Sequence, residues 1–451
     1  MKITIVGCGK VGATLVEHLA REGHDVTVID IDAAAVNEIT ETFDVLGVVG
    51  NGATFEVQME AGVKDSDLLI AVTNSDEQNL LCCLIAKKVG VRHTIGRVRD
   101  PIYNSEIKYL QKELGLALAI NPELATAQEI SRLLKYPSAI TVDTFADGDV
   151  ELLIVKVEQG SVLDGMKVYD IGSKLKCDVL ICAIERGEDV IIPSGIDEIR
   201  AGDKISFVAS QKNVASFLRK TGQNVGNVKS ALLVGGGNIA RYVASILLSS
   251  NIDVKIIEKD KEKCVALSDE LPAATIIHGD GMEKDLLLEE GLDGRGGFVA
   301  LTNSDEENII MSLYAKSLGR SKIITKLSRL KVDGVVKNLG LDCFISPKSI
   351  TANIILRYVR AMKNSAGSNV EALYRLSDGR IEAMEFSVKE NSPVTGKPLA
   401  ELNIKRGILV ACITRGNEII IPKGNDKILA GDSVVVVTKE ESLLDLSDIL
   451  K

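Results

Sequence analysis

The chain repeats itself. Gly7-Cys8-Gly9 recurs as Gly235-Gly236-Gly237, and Asp30 recurs as Glu258, both 228 positions later. Gly50-Asn51-Gly52 recurs as Gly279-Asp280-Gly281, and Thr73-Asn74-Ser75-Asp76-Glu77 as Thr302-Asn303-Ser304-Asp305-Glu306, both 229 positions later. Ile192-Pro193 with Gly202-Asp203 comes back as Ile421-Pro422 with Gly431-Asp432. A near-constant offset across the whole unit means two complete copies, not a shared short motif. The polar stretch Thr221 to Lys229 joins them and reads as a linker and a candidate hinge.

Within each copy the texture changes midway. Short apolar runs at Ile3–Val6, Val26–Ile29, Val45–Val49, Leu68–Val72, Thr94–Val98 and Leu116–Ile120 alternate with amphipathic stretches such as Gly12–Arg21 and Gln78–Lys88. This βαβ series predicts a parallel sheet with helices on both faces. Trp is absent and aromatics make up 4%, so Val, Ile, Leu and Ala must build the core, as suits doubly covered parallel strands. Glu123–Lys135 predicts a further helix, stopped near Pro137. Beyond residue 140 the runs Glu151–Val157, Val179–Ile184, Val190–Pro193 and Lys204–Val208 are split by Gly and Asp turns and predict a small β-rich lobe. The expected fold is α/β: two Rossmann-like doubly wound parallel-sheet domains (1–138 and 230–363), each followed by a small α+β lobe (139–221 and 364–451), with residues 222–229 between them.

The chemistry-bearing residues sit where such a fold binds nucleotides. Gly7-Cys8-Gly9-Lys10-Val11-Gly12 follows a strand and opens a helix. Gly7 permits the tight turn, Gly9 lets backbone approach a phosphate, and Gly12 lets helix and strand pack closely. The helix N-terminus then faces the phosphates with its partial positive charge. Asp30 ends the second strand, where a carboxylate accepts the hydroxyls of an adenosine ribose and repels a 2′-phosphate; NAD or an adenosine nucleotide is favoured over NADP. Copy two offers Gly235, Gly237, Asn238, Ile239 and Glu258, with Ala240 at the third glycine position and Lys259 beside the acid. That second site could be functional or degenerate. Asn51 and Asp280 stand at the carboxyl edge, either near an adenine or merely in a glycine turn. Ser75 caps a helix, while Thr73 and Asn74, like Thr302, could also border the cofactor. Arg97 and Arg99 end the fifth strand, either as forks for terminal phosphates or as surface charges; Lys326 replaces Arg97 in copy two.

Other classes fit poorly. A net charge of −10 leaves no basic footprint for nucleic acid. No apolar run reaches the roughly 20 residues of a membrane span. Eight scattered Cys, with no CxxC pair and no zinc spacing, predict free thiols in a reducing cytoplasm and no metal site. The adjacent Cys82 and Cys83 read as packing residues. No Walker A loop is present. The four His (His18, His24, His93 and His278) all lie in the Rossmann halves, so the lobes have no His general base and no catalytic residue is assigned.

A strand–glycine loop–helix, an acidic ribose residue, the Thr-Asn-Ser-Asp-Glu segment and a β-rich lobe ending in Ala201-Gly202-Asp203, all duplicated with Ala430-Gly431-Asp432, resembles the TrkA family of cytosolic regulatory subunits of bacterial Trk potassium uptake systems. Each half is similar to one RCK unit, a nucleotide-binding domain followed by a TrkA-C lobe, and the resemblance covers essentially the whole chain. It implies a homotetrameric ring held under an integral-membrane potassium translocator (TrkH/TrkG-like), and so a peripheral place at the inner face of the plasma membrane. It also implies gating by NAD⁺/NADH or ATP/ADP. Carried onto matching positions, Gly7, Gly9, Gly12, Asp30, Thr73 and Arg97/Arg99 would line one site, and Gly235, Gly237, Glu258, Thr302 and Lys326 the other. Ala240 and Lys326 depart from copy one and leave the second ligand open. Two other readings stand beside this one: an NAD-dependent oxidoreductase, which the short His-free lobes disfavour, and a sensor of the same fold serving a different membrane partner.

Overall fold

A computed structural model describes all residues except 101–102, 104–105, 146–149, 223–227, 293, 295, 320–321, 330–338, 342, 366–369, 377–379, 417, 440–442 and 444. Most of the linker read from the sequence, and with it the candidate hinge, lies outside the described residues.

The first unit opens β1 (Lys2–Val6), α1 (Lys10–Arg21), β2 (Asp25–Asp30), α2 (Ala33–Thr42), β3 (Leu46–Val49), α3 (Phe55–Glu60), β4 (Leu68–Ala71), α4 (Asp76–Val89), β5 (His93–Arg97), α5 (Ile107–Leu114), β6 (Leu118–Ile120) and α6 (Pro122–Lys135). Its six strands form one parallel sheet in the order β3-β2-β1-β4-β5-β6. The order reverses at β1/β4, which opens a crevice at the carboxyl ends of those strands. Local signals explain the element ends. The Ser75 hydroxyl accepts the Gln78 N–H at 3.2 Å and starts α4, and Gly90 at φ 114° ends it. Asn121 accepts the Leu124 N–H at 2.9 Å and, with Pro122 in the first turn, starts α6.

The lobe that follows is antiparallel: β7 (Ala139–Phe145), β8 (Val150–Lys156), α7 (Asp170–Leu175), β9 (Leu180–Arg186), β10 (Asp189–Ile191), β11 (Lys204–Ser210) and α8 (Gln211–Lys220), in sheet order β10-β9-β11-β8-β7. Strand β7 and helix α8 had no distinct sequence signal. The Asp203 of Ala-Gly-Asp is buried and takes a two-pronged bond from Arg186 at 2.9 and 2.7 Å. Arg415 and Asp432 repeat it, both at 2.9 Å, so this hallmark locks the lobe.

The second unit repeats the architecture: β12 (Ser230–Val234), α9 (Asn238–Ser249), β13 (Asp253–Glu258), α10 (Lys261–Glu270), β14 (Thr275–His278), α11 (Lys284–Glu289), β15 (Gly297–Ala300), α12 (Asp305–Ser317), β16 (Lys322–Lys326), β17 (Phe344–Ile345) and α13 (Pro347–Ser365). Its parallel sheet runs β14-β13-β12-β15-β16-β17. The closing lobe holds β18 (Val370–Leu376), β19 (Ile381–Ser387), β20 (Ile408–Arg415), β21 (Glu418–Ile420) and β22 (Ser433–Thr438).

The two units are interlocked. Helix α6 buries Ala127, Ile130, Leu133 and Leu134 in one cluster with Ala240, Val243, Ala244 and Leu247 of α9. Reciprocally, α13 buries Ala352, Ile355, Leu356 and Val359 with Leu15, Val16 and Leu19 of α1. Each unit thus lends its last Rossmann helix to the first helix of the other. Polar bonds cross the same boundary: Asn121 to the Tyr242 hydroxyl at 3.1 Å, and His93 Nδ1 with the Tyr358 hydroxyl at 3.0 Å. The lobes meet as well, since Phe145, Leu152, Cys182 and Val208 share a buried cluster with Ile381, Ala411, Cys412 and Val435. No helix among the described residues is long and apolar enough to cross a membrane.

Candidate functional site

Each Rossmann sheet carries a cleft at its switch point. The first is about 360 Å³ and is lined by Gly7, Cys8, Gly9, Asp30, Asn51, Thr73 and Asn74, among others. Gly7 has φ 108°, and a Cβ there would come within 2.9 Å of the Thr73 nitrogen, so only glycine lets the loop lie against the end of β4. Gly9 caps α1, and a Cβ on it would meet no protein atom within 4 Å; the room beside this helix start is open, as a bound phosphate requires. Asp30 accepts the Cys8 N–H at 2.6 Å and the Asp32 N–H at 3.0 Å. A carboxylate has about four acceptor positions, so two remain for ribose hydroxyls.

The second cleft is larger, about 620 Å³. It gathers Gly235, Gly237, Asn238, Ile239, Glu258, Asp280, Thr302 and Lys326, every residue that the sequence proposes for copy two. Glu258 repeats the Asp30 pattern, accepting Gly236 N–H at 2.7 Å and Asp260 N–H at 2.9 Å. The two loops reach this geometry by exchanging volume. Copy one pairs a short Asp30 with Cys8, whereas copy two pairs the longer Glu258 with Gly236. A Cβ on Gly236 would stand 3.1 Å from the Glu258 carboxylate and 2.5 Å from Leu267. Ala240, in place of Gly12, is fully buried against the α6 cluster.

Several residues sit differently from the plain sequence expectation. Lys10, Val11 and Gly12 do not line the first cleft, nor do Arg97 and Arg99. Gly12 is buried beneath the loop, where a Cβ would stand 1.9 Å from the Gly7 carbonyl oxygen. The Arg97 guanidinium is buried and donates to the Thr73 carbonyl. Burial lowers its pKa, with the neighbouring Arg99 adding to the effect. Arg99 donates to the Asn74 carbonyl and lies near Asp76. These two arginines brace the Thr73–Asn74 turn from behind. Lys326 does the same in copy two, donating to the Leu301 carbonyl at 3.0 Å, but its side chain also lines the cleft. Burial lowers its pKa too. Gly50 and Gly52 are steric requirements, since a Cβ would lie 2.8 Å from Val57 and 2.3 Å from Val6. Asn51 accepts the Ala53 N–H at 3.0 Å while facing the cleft.

Two contributors escaped the sequence reading. Asn79, fully buried, accepts the Thr73 N–H and hydroxyl, both at 2.8 Å, and donates to the Arg97 carbonyl at 3.0 Å. Asn308 repeats the clamp on Thr302 and Lys326. Asn79 and Asn308 stand at matching places in the two copies, 229 positions apart, but nothing in the sequence pattern gives them a role. Glu123 belongs to α6 of the first unit yet lines the cleft of the second. Its Oε2 is buried without a hydrogen-bond partner among the described residues. Burial raises its pKa, against the pull of Arg99 and Arg97. The charges of Lys10 and Glu123, both residues of the first unit, bear on Lys326 in the cleft of the second.

Comparison with known proteins identifies the family of both kinds of domain. The TrkA-N domain family matches residues 3–122 and 231–347, and the TrkA-C domain family matches residues 152–222 and 383–451. A Trk system potassium uptake protein TrkA homolog of Archaeoglobus fulgidus is 34% identical over 451 residues, covering 100% of both chains. The chain belongs to the TrkA family. The Trk system potassium uptake protein TrkA of Halomonas elongata is 34% identical over 97% of this chain and 95% of its own. That of Haemophilus influenzae is 31% identical over 98% and 96%. Among solved structures, the GsuK RCK domain superposes with a TM-score of 0.64 at 17% identity, covering 98% of this chain and 92% of that one. The GsuK channel bound to NAD gives 0.64 over 98% and 77%. At that identity the likeness establishes a shared RCK fold. TrkA-family membership accounts for the order of domains and for their duplication.

Proposed function

We propose that this chain is the cytoplasmic, non-catalytic regulatory subunit of a potassium uptake system, one that senses NAD(H) or ATP/ADP and gates a TrkH/TrkG-like membrane translocator as a ring, a homotetramer, of such chains. The parts 1–138, 139–221, 230–363 and 364–451 are its working domains, and the ring holds it at the inner membrane face through the translocator. The names of its relatives and the NAD-bound GsuK neighbour support the reading.

The observation that carries it is the placement of Glu123. A residue of one unit forms the wall of the other unit's cleft, so a ligand there touches both units at once. A ligand moves a two-state assembly only through its different affinity for the two states, and a site that spans a packing interface supplies such a difference. In the first cleft Gly7, Gly9, Asp30, Asn51, Thr73 and Asn74 would hold the nucleotide. In the second Gly235, Gly237, Asn238, Ile239, Glu258, Asp280, Thr302 and Lys326 would do so, with Glu123 opposite. Both acidic residues favour a free 2′-hydroxyl over a 2′-phosphate.

Titration calorimetry of the full chain with NAD⁺, NADH, ATP, ADP and NADP⁺ tests this. Asp30→Asn and Glu258→Gln keep shape and remove charge. Each is expected to weaken its own site about 10- to 100-fold, the worth of a charge-assisted hydrogen bond, and to spare the other. Absence of binding by every nucleotide would sink the reading.

A further inference from the structure

The two nucleotide clefts share a backbone plan but not a charge. The first is lined by two carboxylates, Asp30 and Asp32, and by no Lys or Arg among the described residues. The second is lined by Lys259, Lys263, Lys326 and Arg329. Those four cations stand against four carboxyl groups, on Glu123, Glu258, Asp280 and Glu307. The second cleft is thus balanced in charge where the first is acidic throughout.

The difference traces to single positions. Lys259, Lys263 and Arg329 occupy the places of Ile31, Ala35 and Asp100. Lys326 occupies that of Arg97, whose guanidinium turns away from the first cleft to the Thr73 carbonyl. Ile31 and Ala35 line the first cleft, and Ile31 is 74% exposed there. An apolar edge therefore borders the ribose acid of one cleft, and two ammonium groups border that of the other. Local partners leave the second cleft its cations. Lys263 lies 3.6 Å from Asp260, but both side chains are solvent-exposed, so the pair is weak and screened. Lys326 donates to the Leu301 carbonyl at 3.0 Å and Arg329 to the Asn303 carbonyl at 3.4 Å, both neutral acceptors. Asp305 bears on Lys326 as Asp76 does on Arg97, so this acid does not distinguish the copies.

Nucleotides differ in the same respect. In NAD⁺ the nicotinamide cation offsets part of the charge on the two phosphates, whereas the terminal phosphate of ADP or ATP approaches a double negative charge. A cleft lined by cations concentrates the more anionic ligand, and one lined by acids alone disfavours it. We infer that the two clefts take different nucleotides, the first NAD(H) and the second ADP or ATP, so that one chain reads a dinucleotide and a nucleoside polyphosphate at once. This rests on the nucleotide-sensing reading proposed above and divides its ligands between the sites. Glu123 of the first unit lines the polyphosphate cleft, so the ligand there also touches the unit that holds the dinucleotide.

The test is titration calorimetry of the full chain with NAD⁺, NADH, ADP and ATP in divalent-free buffer. Glu258→Gln weakens the second cleft and so reports on the first, and Asp30→Asn does the reverse. In the Glu258→Gln chain NAD⁺ should bind about tenfold or more tightly than ATP. In the Asp30→Asn chain the order should invert, and added salt should weaken ATP more than NAD⁺. Lys259→Ile, Lys263→Ala and Arg329→Asp together carry the copy-one residues into copy two at three exposed positions. In the Asp30→Asn background this triple exchange should cost ATP about tenfold more affinity than it costs NAD⁺. Ile31→Lys, in the Glu258→Gln background, should raise ATP affinity at the first cleft, a gain that misfolding does not imitate. The same ranking of nucleotides at both clefts, equal losses for ATP and NAD⁺ in the triple variant, or no gain from Ile31→Lys would each overturn the inference and leave nucleotide sensing standing. Absence of binding by every nucleotide would remove both.

Discussion

Replacing Asn79 by Leu tests how the candidate site is held. The two side chains are close in volume, so no large cavity opens, but all hydrogen bonding at this fully buried position is lost. The Thr73 hydroxyl can still donate to the Ser75 carbonyl at 3.3 Å, and the Thr73 carbonyl still has Arg97. The Thr73 N–H and the Arg97 carbonyl lose Asn79 at 2.8 and 3.0 Å. Each buried group left without a partner costs about 1–3 kcal/mol, so with two such groups Asn79→Leu should destabilise its Rossmann domain by about 2–6 kcal/mol. Because the clamp fixes the turn on which Gly7 rests, nucleotide affinity should fall at the first cleft and not at the second. Asn308→Leu should give the mirror result. Equilibrium chemical unfolding and calorimetric titration of both variants read these outcomes. A loss of stability below about 1 kcal/mol, or equal loss of affinity at both clefts, would refute the claim that this network positions the site.

Three further outcomes are expected. Gly9→Ala and Gly237→Ala place a methyl where no protein atom lies within 4 Å, so thermal unfolding should barely shift while titration shows nucleotide affinity reduced tenfold or more. Gly236→Cys, which mimics copy one, should destabilise by about 1–3 kcal/mol through overpacking against Glu258 and Leu267, and adding Glu258→Asp should recover part of that loss in a double-mutant cycle. The Cys8 thiol is pushed up to about 12 by burial and by the charges of Asp30 and Asp32. Its alkylation in the folded chain, mapped by mass spectrometry, should therefore keep rising with pH beyond 10, whereas an ordinary thiol levels off above about 8.5.

Much of this was legible beforehand, for local reasons. The β strands of each Rossmann half are continuous apolar runs bounded by turns, and Lys2–Val6 or Leu68–Ala71 depart from their sequence-based limits by a residue or so. The glycine loop, Asp30 and Ser75 announce themselves because backbone conformation and capping are near-neighbour chemistry. What stayed hidden depends on distant partners. The 3.6-residue stripe on Glu123–Lys135 says that the helix buries a face, but not that α9 of the other unit covers it. Glu123 therefore looked like a first-turn residue and no more. Arg97 ends a strand at the ligand edge, yet its side chain turns inward to the Thr73 carbonyl, a choice made by the buried space behind that turn. Asn79 lies on a helix face that its neighbours make look ordinary, and only the packed structure reveals what it grips.

The helix exchange also fixes what kinds of change the chain can accept. Were the two units separate identical subunits, every substitution would appear on both sides of their contact, and a residue could alter only if its own mirror image tolerated it. Joined in one chain, each side faces a permanent and non-identical neighbour. Lys348 stands where Glu123 has its counterpart, Glu258 answers Asp30, and Ser250 answers Glu22. Each of these is a mismatch that strict twofold symmetry would forbid, and each gives one half of the molecule a surface that the other half does not have. Fusion has turned a symmetric handshake into a heterodimer carried on a single polypeptide, free to divide its labour between the two halves.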